Sequence, residues 1–336
     1  MRLENEHCKI IAAHADISHD DWLAMRKLGI GGSDAAAICG MNPWRSSMAV
    51  YADKKGLVED QEETEDMIFG KRMEPHIRDW FAEDFQKAEG SSIYVFDCPW
   101  MMMSKKVDWM IANIDGLVQE GAEGELGGVE LKARDRSMAK YYADDSVMDT
   151  DYCQVQHYMH VTGLPYFYVV ALLGKRLIWR RVPRNEEFIA WLFEQERDFH
   201  DNYLVPGRMP APSGLDSDDD ILKALYGIAD GEREVILEEF VGKLDEYVQI
   251  AEEGKRYAKG GDSYKRKKEI QQLVELEMGT AKYATAGDHR VTWSRFPLKR
   301  FDLDSFRKGY PQLYEGFAKE SLGTKFTVKT KGEKDE

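Results

Sequence analysis

An α/β fold is predicted for this chain, and three observations carry the prediction. Between residues 93 and 182, six short apolar runs ("IYVFD", "WMMMSKK", "WMIANIDGLVQ", "GGVELKA", "YFYVVALLG" and "RLIWRRV") are each bounded by Gly, Pro or charge, as strands are. Stretches with helical repeats precede and interrupt them, an alternation that fits a central sheet flanked by helices. Finally, "VPGRMPAPSGLDSDDD" (205–220) combines proline, glycine and acid like an exposed connector, and the chain beyond it is mainly helical in pattern. A chain of 336 residues accommodates about two domains, so the reading is a domain over 1–204, a linker over 205–220 and an extension over 221–336.

Taken in order, Ser18 and Asp21 have capping-box spacing and open a short helix, "HDDWLAMRK", that ends at Gly29. "GIGGSDAAAICG" then reads as a glycine turn feeding a helix of small residues. In "GKRMEPHIRDWFAEDF", Met73, Ile77, Trp80, Phe81 and Phe85 recur at helical spacing, and Pro75 should mark the first turn or a kink because it lacks an N–H. "MDTDYCQVQHYMHVTG", between the fourth and fifth strands, should be helical up to Gly163 and Pro165. Beyond the linker, "EREVILEEFVGKLDEYVQIAEEGKRYA" repeats its apolar residues as one long amphipathic helix. "SYKRKKEIQQLVELEMG" makes a second, and "AKYATAGDHRVTWSRF" a hairpin turning at Gly287-Asp288.

Composition excludes several functions. The net charge of −15 argues against a protein that coats nucleic acid through a basic exterior. The acid is uneven: "EDQEETED" (59–66) and "DSDDD" (216–220) read as solvated loops, whereas residues 254–268 hold seven Lys or Arg against one Asp. That basic run is either a solvated helix face or a contact for DNA or a partner. Cys8, Cys39, Cys98 and Cys153 contain no C-x-x-C pair, which argues against a zinc ribbon or iron-sulfur cluster and for buried free thiols. The N-terminus carries scattered charge and no signal-peptide core, and the apolar run from Tyr166 is too short for a membrane span. A cytoplasmic location is expected.

Glu130 and Lys132 sit two apart in "GGVELKAR", so on a strand both point to one face. Fifteen residues before Glu130, Asp115 stands beside Gly116 where a neighbouring strand should end or bend. Two nearby carboxylates repel unless a cation lies between them, and hard oxygen donors suit Mg²⁺. Such an ion lowers the pKa of a bound water and offsets charge on an attacked phosphate, while a lysine on the same face can serve that water. An ordinary surface ion pair explains the two charges equally well, so both readings stand on the residues alone. In "RKLGIGGSDAAAI", Arg26 and the Ser33 hydroxyl could form a pocket for a terminal phosphate beside exposed backbone N–H groups. An ordinary helix cap formed by Ser33 or Asp34 is the competing reading.

Taken together, "GIGGSDAAAICGMNPWRSSMAVYADKKG", "GKRMEPHIRDWF", "IDG", "VELKA" and "QVQHYMHVTG", in that order, resemble the YqaJ-type viral recombinase family. These are relatives of phage lambda exonuclease within the PD-(D/E)XK nuclease superfamily. The tail "RVTWSRFPLKRFDLDSFRKGYPQLYEGFAK" is also similar to extensions on longer members, so the likeness covers nearly the whole chain. It implies a restriction-endonuclease-like core with a mixed central sheet. The implied activity is a Mg²⁺-dependent 5′-to-3′ exonuclease on duplex DNA, Mn²⁺ being able to substitute, which releases 5′-mononucleotides and leaves 3′ single-stranded tails.

Residue by residue, the resemblance implies that Asp115 and Glu130 bind the metal, with the Leu131 carbonyl adding a ligand, and that Lys132 serves the attacking water. Glu74 matches an acidic residue near the metal, and Gln156 matches a helix glutamine at the active site, with Gln154 on another part of the helix. Arg26 and Ser33 match the pocket for the DNA 5′-phosphate. Asn113 departs from the pattern, standing where the lambda enzyme has a phosphate-binding serine, although its amide can still donate. The implied partners are duplex DNA with a free 5′ end, a single-strand annealing protein and further copies of the chain in a ring, a trimer being favoured.

Two alternatives remain: a site- or structure-directed DNA endonuclease of the same superfamily, and a non-catalytic DNA-binding assembly module. His157 and His160 lack a third histidine or cysteine nearby and read as packing or surface residues. Trp44, Trp80, Trp109 and Trp179 read as core, with a terminal base stacked on Trp44 as the alternative.

Overall fold

The computed structural model describes residues 2–59, 63–143, 145–227, 233–253, 261–301 and 318–330, with backbone alone over 295–301 and 318–330. It divides into two units, one of residues 1–43 and 50–209, the other of 44–49 and 210–336.

The first unit is mixed α/β, as expected. Its five-stranded sheet runs β3 (Ile93–Asp97), β6 (Gly116–Glu120), β7 (Leu126–Arg134), β8 (Tyr166–Leu173), β9 (Arg176–Pro183) in spatial order. All neighbours are antiparallel except β7 and β8, which are parallel and joined through α5 (Asp149–Thr162). Every residue of β8 is buried, because both faces of that strand are covered. On one face, Ile77, Phe81 and Phe85 of α4 (Glu65–Glu89) pack on Val129, Leu131, Tyr168 and Val170; on the other, Val155, Tyr158 and Met159 of α5 pack with Phe167, Val169 and Ala171. The paired glycines that open β7 are a consequence of this packing. A Cβ on Gly127 would lie 2.3 Å from the Tyr166 ring, and one on Gly128 2.2 Å from the Phe167 ring.

A second sheet, of order β1 (Cys8–Ala13), β4 (Trp100–Ser104), β5 (Met110–Asn113), β2 (Ile30–Gly31), lies beside α1 (His19–Lys27) and α2 (Gly32–Ile38) in the sequence. "WMIANIDGLVQ" is therefore two strands in two sheets, with Ile114 and Asp115 as the step between them. α1 begins at the Ser18 cap, which accepts from the Asp21 N–H. α4 starts ten residues before Pro75, at a Thr64 cap, so proline marks neither its first turn nor its end. Pro75 is exposed, and the carbonyl deprived of its N–H there can turn to water. α6 (Glu186–Phe199), capped by Asn185, completes the unit; its signal, an N-cap followed by Ile189, Leu192 and Phe199, was overlooked in the sequence.

In the second unit "DSDDD" is not a loop. It is the first turn of α7 (Asp216–Tyr226), where acid suits the helix N-terminus. Asp218 is fully buried and accepts from Ser46 and from the Ser213 N–H (2.7 Å) and hydroxyl (2.8 Å). The expected long helix also begins later. "EVI" forms β10 (Glu234–Ile236), parallel to β11 (Tyr283–Ala286), and helix α8 covers Val241–Glu253, with 254–260 outside the described residues. The β-branched pair Val235 and Ile236 favours a strand, and the Leu237 N–H is taken by the Thr285 carbonyl. α9 (Asp262–Met278) carries the described part of the basic run, where Lys268 pairs with Asp216 and Asp219 and Arg266 with Glu246 and Glu269. The hairpin turns at Gly287-Asp288 into β12 (His289–Phe301), which pairs with β13 (Ala318–Thr330). Trp44 and Trp80 are 51% and 38% exposed, not core. Among the described residues no helix is long and apolar enough to cross a membrane.

His157 anchors α5 within the first unit. Its Nδ1 lies 2.7 Å from Glu196 of α6 and its Nε2 2.9 Å from the Ile111 carbonyl, with both side chains of the pair fully buried. Burial alone would lower the imidazole pKa, but Glu196 and the Ile111 carbonyl outweigh it and raise the pKa. His157→Phe, which strands the Glu196 carboxylate, should cost about 3–5 kcal/mol. A raised folded-state pKa stabilises fully below the unfolded imidazole value of about 6.5 and loses its effect as pH rises through the folded value. The gap between the urea midpoints of wild type and variant should therefore narrow as pH rises above about 6.5; a constant gap would refute the charged pair.

Candidate active site

β7 presents Glu130, Lys132 and Arg134 on the face toward α5, and α5 returns Asp151, Gln154 and Tyr158, spaced three and four residues apart along one helix face. Lys132 Nζ donates to Glu130 Oε1 (2.5 Å) and to Gln154 Oε1 (3.1 Å). Gln154 Nε2 in turn donates to Glu130 Oε1 (2.7 Å) and to the Tyr158 hydroxyl (3.0 Å). One residue pair further along, Arg134 and the Tyr142 hydroxyl hold Asp151, each at 2.5 Å. Glu130 is only 2% exposed, and its second oxygen, Oε2, is buried with no hydrogen-bond partner among the described residues. Such an orphan is costly unless something completes it.

Asp115 occupies the step between the two sheets. Its Oδ2 accepts the Leu131 N–H at 2.7 Å, which brings the carboxylate to the strand that carries Glu130. From α4, Arg78 Nη2 donates to the Asp115 carbonyl (3.0 Å) and to Asp97 (3.1 Å), and Glu74 stands one turn before it. The charges are strained. Burial, then the Asp115 carboxylate, pushes Glu130 up to about 8 and Glu74 up to about 7. Burial also raises Asp115, against the pull of Lys132. Lys132 loses by burial but gains more from Glu130, Asp151 and Asp115, so its pKa is raised and it stays charged.

Three carboxylates raised by burial, two of them also by the Asp115 charge and one with a buried oxygen lacking a partner among the described residues, fit a hard divalent cation. Among the described residues no three His, Cys, Asp or Glu side chains already form a metal-binding cluster. Lys132 and Gln154 engage one Glu130 oxygen, and the Leu131 N–H engages Asp115. Leu131 thus meets Asp115 through its N–H; its carbonyl is the atom a metal would use.

A cavity of about 190 Å³ lies alongside, and the three residues expected to bind a phosphate, Arg26, Ser33 and Asn113, all line it. Arg26 donates to the Ser33 hydroxyl (3.1 Å) and lies over the Trp22 ring, 4.9 Å from its centroid. Gln154 and Tyr158 line the same cavity, which therefore adjoins the charged face of β7. Gly32 is required there, since a Cβ would lie 2.5 Å from the Tyr158 ring. Asp34, by contrast, serves the fold: it accepts the Gly31 N–H (3.0 Å) and pairs with Lys54 (2.7 Å), both side chains buried.

Gln156 requires correction. Its amide donates to the Pro183 carbonyl (2.9 Å) and accepts the Asn185 N–H (3.0 Å), so it ties α5 to the end of β9 and the start of α6. Gln154 is the glutamine that faces Glu130 and Lys132. The two differ by about 200° around a helix of 3.6 residues per turn, and the spacing Asp151, Gln154, Tyr158 is the signal that separates them. Arg78, Trp22 and Lys54 are further site residues overlooked in the sequence. Arg78 was legible as the residue one turn after Glu74. His157 and His160 pack as expected: burial lowers His160 to about 4, and its ring meets Phe193 edge-on.

Residues 21–165 match the model of the YqaJ-like viral recombinase domain. The uncharacterized protein YqaJ of Bacillus subtilis (strain 168) is 25% identical over 332 residues, 97% of this chain and 99% of that protein. Among solved structures, an alkaline exonuclease (LHK-Exo) from Laribacter hongkongensis is similar at 18% identity and a TM-score of 0.41, covering 54% of this chain and 90% of that one. The same exonuclease in complex with dAMP is similar at 17% identity and a TM-score of 0.42, with the same coverage. The stretch that matches this family, residues 21–165, contains Arg26, Asp115, Glu130, Lys132 and Gln154.

Proposed function

We propose that this protein is a metal-dependent DNA exonuclease that hydrolyses one strand of a duplex from its 5′ end, releasing 5′-mononucleotides and leaving a 3′ single-stranded tail for recombination. The observation that carries the reading is the buried, unpaired Glu130 Oε2 on a strand face shared with Lys132 and close to Asp115 and Glu74. A surface ion pair does not account for a carboxylate that is 2% exposed and held above its usual pKa.

Asp115, Glu130 and the Leu131 carbonyl, with Glu74 nearby, would hold Mg²⁺ or Mn²⁺. When bound, such an ion lowers the pKa of a water and offsets charge growing on the attacked phosphate. Lys132 stays protonated, so its Nζ can orient that water or the phosphate oxygens. Gln154 fixes the Lys132 ammonium against Glu130 and is a positioning residue. Arg26, Ser33 and Asn113 would take the terminal 5′-phosphate, with Arg26 supplying a charge-assisted bond. A cavity lined by Arg26, Ser33 and Asn113 beside the charged face of β7 favours a reading in which a strand end is bound, hence an exonuclease over an endonuclease. The nuclease function is assigned to the first unit, residues 1–43 and 50–209, with the second unit as an extension. A ring of copies, a trimer by resemblance, would keep an acidic protein on its track by enclosure and would hand its tail to a single-strand annealing protein.

Digestion of end-labelled linear duplex with Mg²⁺ tests the reading. Asp115→Asn and Lys132→Ala should each abolish cleavage while DNA association is retained; cleavage unchanged in either variant would refute the assignment. Arg26→Ala should erase the preference for 5′-phosphate over 5′-hydroxyl ends, whereas equal losses on both would give Arg26 to the fold. For the two glutamines the effects should separate. Gln154→Ala should lower kcat at nearly unchanged stability, and Gln156→Ala should cost about 1–3 kcal/mol by stranding the Asn185 N–H and Pro183 carbonyl, as read from urea midpoints. The reverse pattern would restore Gln156 to the active site.

A further inference from the structure

Gln154 is flanked by a thiol that the nuclease reading does not use. Cys153 faces away from β7 into a cluster with Ala35, Ala36 and Leu192, against which Cys39, Met41 and Phe188 also pack. Cys39 caps the C-terminus of α2 and is partly exposed, while Cys153 is fully buried. Both cysteines pack in this one cluster between α2 and α5, and Cys153 Sγ is 3.6 Å from Met41 Sδ. We propose that Cys39 and Cys153 form an oxidation-sensitive thiol pair whose disulfide ties α2 to α5 and slows the active site that these two helices frame.

The surroundings divide the roles. The hydrogen bond from Cys153 lowers the Cys39 thiol pKa against the effect of burial, and the same bond together with burial raises that of Cys153. A partly exposed thiol with a lowered pKa is the one that reacts; a buried neighbour resolves. With hydrogen peroxide the Cys39 thiolate attacks one oxygen, the O–O bond breaks, and sulfenic acid and hydroxide form. The Cys153 sulfur then displaces hydroxide from the sulfenic acid, giving the S–S bond and, with the thiol proton, water. Two thiols are oxidised, and one peroxide is reduced to two waters.

The effect would reach the site from both sides. α2 carries Ser33 of the cavity at its other end, and Cys153 precedes Gln154, which holds Glu130 and Lys132. Cys8 and Cys98 provide an internal control. Both are buried, at 0% and 2% exposure, and burial pushes their thiols up, Cys98 to about 11.

The full-length protein, treated with low hydrogen peroxide and labelled with a maleimide, should lose two of its four free thiols. A peptide joining residues 39 and 153 should appear and should vanish on reduction. Neither Cys39→Ser nor Cys153→Ser should form it, while a Cys8→Ser/Cys98→Ser double variant should. Four labelled thiols after treatment, a bridge between Cys8 and Cys98, or Cys39 carried to sulfinic acid without a bridge would each overturn the pair. The coupling to activity rests on the nuclease reading: oxidised wild type should degrade linear duplex at least tenfold more slowly and recover with reductant, and an unchanged rate in a bridged protein would overturn the coupling. Absence of cleavage even in the reduced protein would sink the nuclease reading and the coupling with it, and leave the disulfide to stand on the peptide map.

Discussion

A carboxylate buried in a strand is the constraint around which the first unit is arranged. Glu130 sits on β7 between neighbours whose side chains are hydrocarbon, and removing its charge from water is costly unless other groups answer it. Lys132, two residues on and on the same face, answers one oxygen, and Gln154 fixes both. The other oxygen is unanswered among the described residues. That residual demand, sharpened by Asp115 and Glu74, turns a structural ion pair into a place where a cation would be stabilised.

The remainder of the unit keeps that face aligned. β8 buries both its sides so that β7 is held in parallel register, Glu130 opposite Val169 and Lys132 opposite Ala171. Glycines 127 and 128 let the Tyr166 and Phe167 rings close over the start of β7. α5 is pinned at two points away from the chemistry, by His157 on Glu196 and by Gln156 on the junction of β9 and α6. These buried polar ties fix the rotation of α5, and with it which of its residues reach Glu130. Gln156 is thus important to the site without touching it.

Much of this was legible in the sequence, for identifiable reasons. Strands β3, β4, β7, β8 and β9 announced themselves because buried strands bounded by Gly, Pro or charge leave few alternatives, whereas β5 and β6 read as one run; Ser18, Gly163 and Gly287 marked ends and turns through local backbone chemistry. The alternation of a strand placed Glu130 and Lys132 on one face without ambiguity, since the period is two. A helix is less forgiving. Gln154 and Gln156 are both plausible from a motif, and only the position of the partner strand separates them. The long helix read over 232–258 failed at Val235 because pairing with β11, a contact some fifty residues away, overrides local periodicity. "DSDDD" misled in the same way: acid reads as solvated, yet Asp218 is buried by hydroxyl and N–H partners at positions 46 and 213 that sequence spacing does not reveal.

Asp115 also bears on the spacing between the proposed terminal-phosphate pocket and the proposed cleavage centre. Asn113 ends β5 in one sheet and lines the cavity; Asp115, two residues on, meets β7 of the other sheet. Two extended residues span at most about 7 Å, and the chain between them is clamped at both ends by sheet pairing. Successive phosphates of one DNA strand advance by about 3.4 Å along the helix axis, so groups so closely tied address neighbouring phosphates rather than distant ones. A pocket holding the end and a centre one step inward would release a single nucleotide at each cut. The product size of the proposed reaction would therefore be set by the short step at Ile114 and Asp115, where one strand run changes sheets.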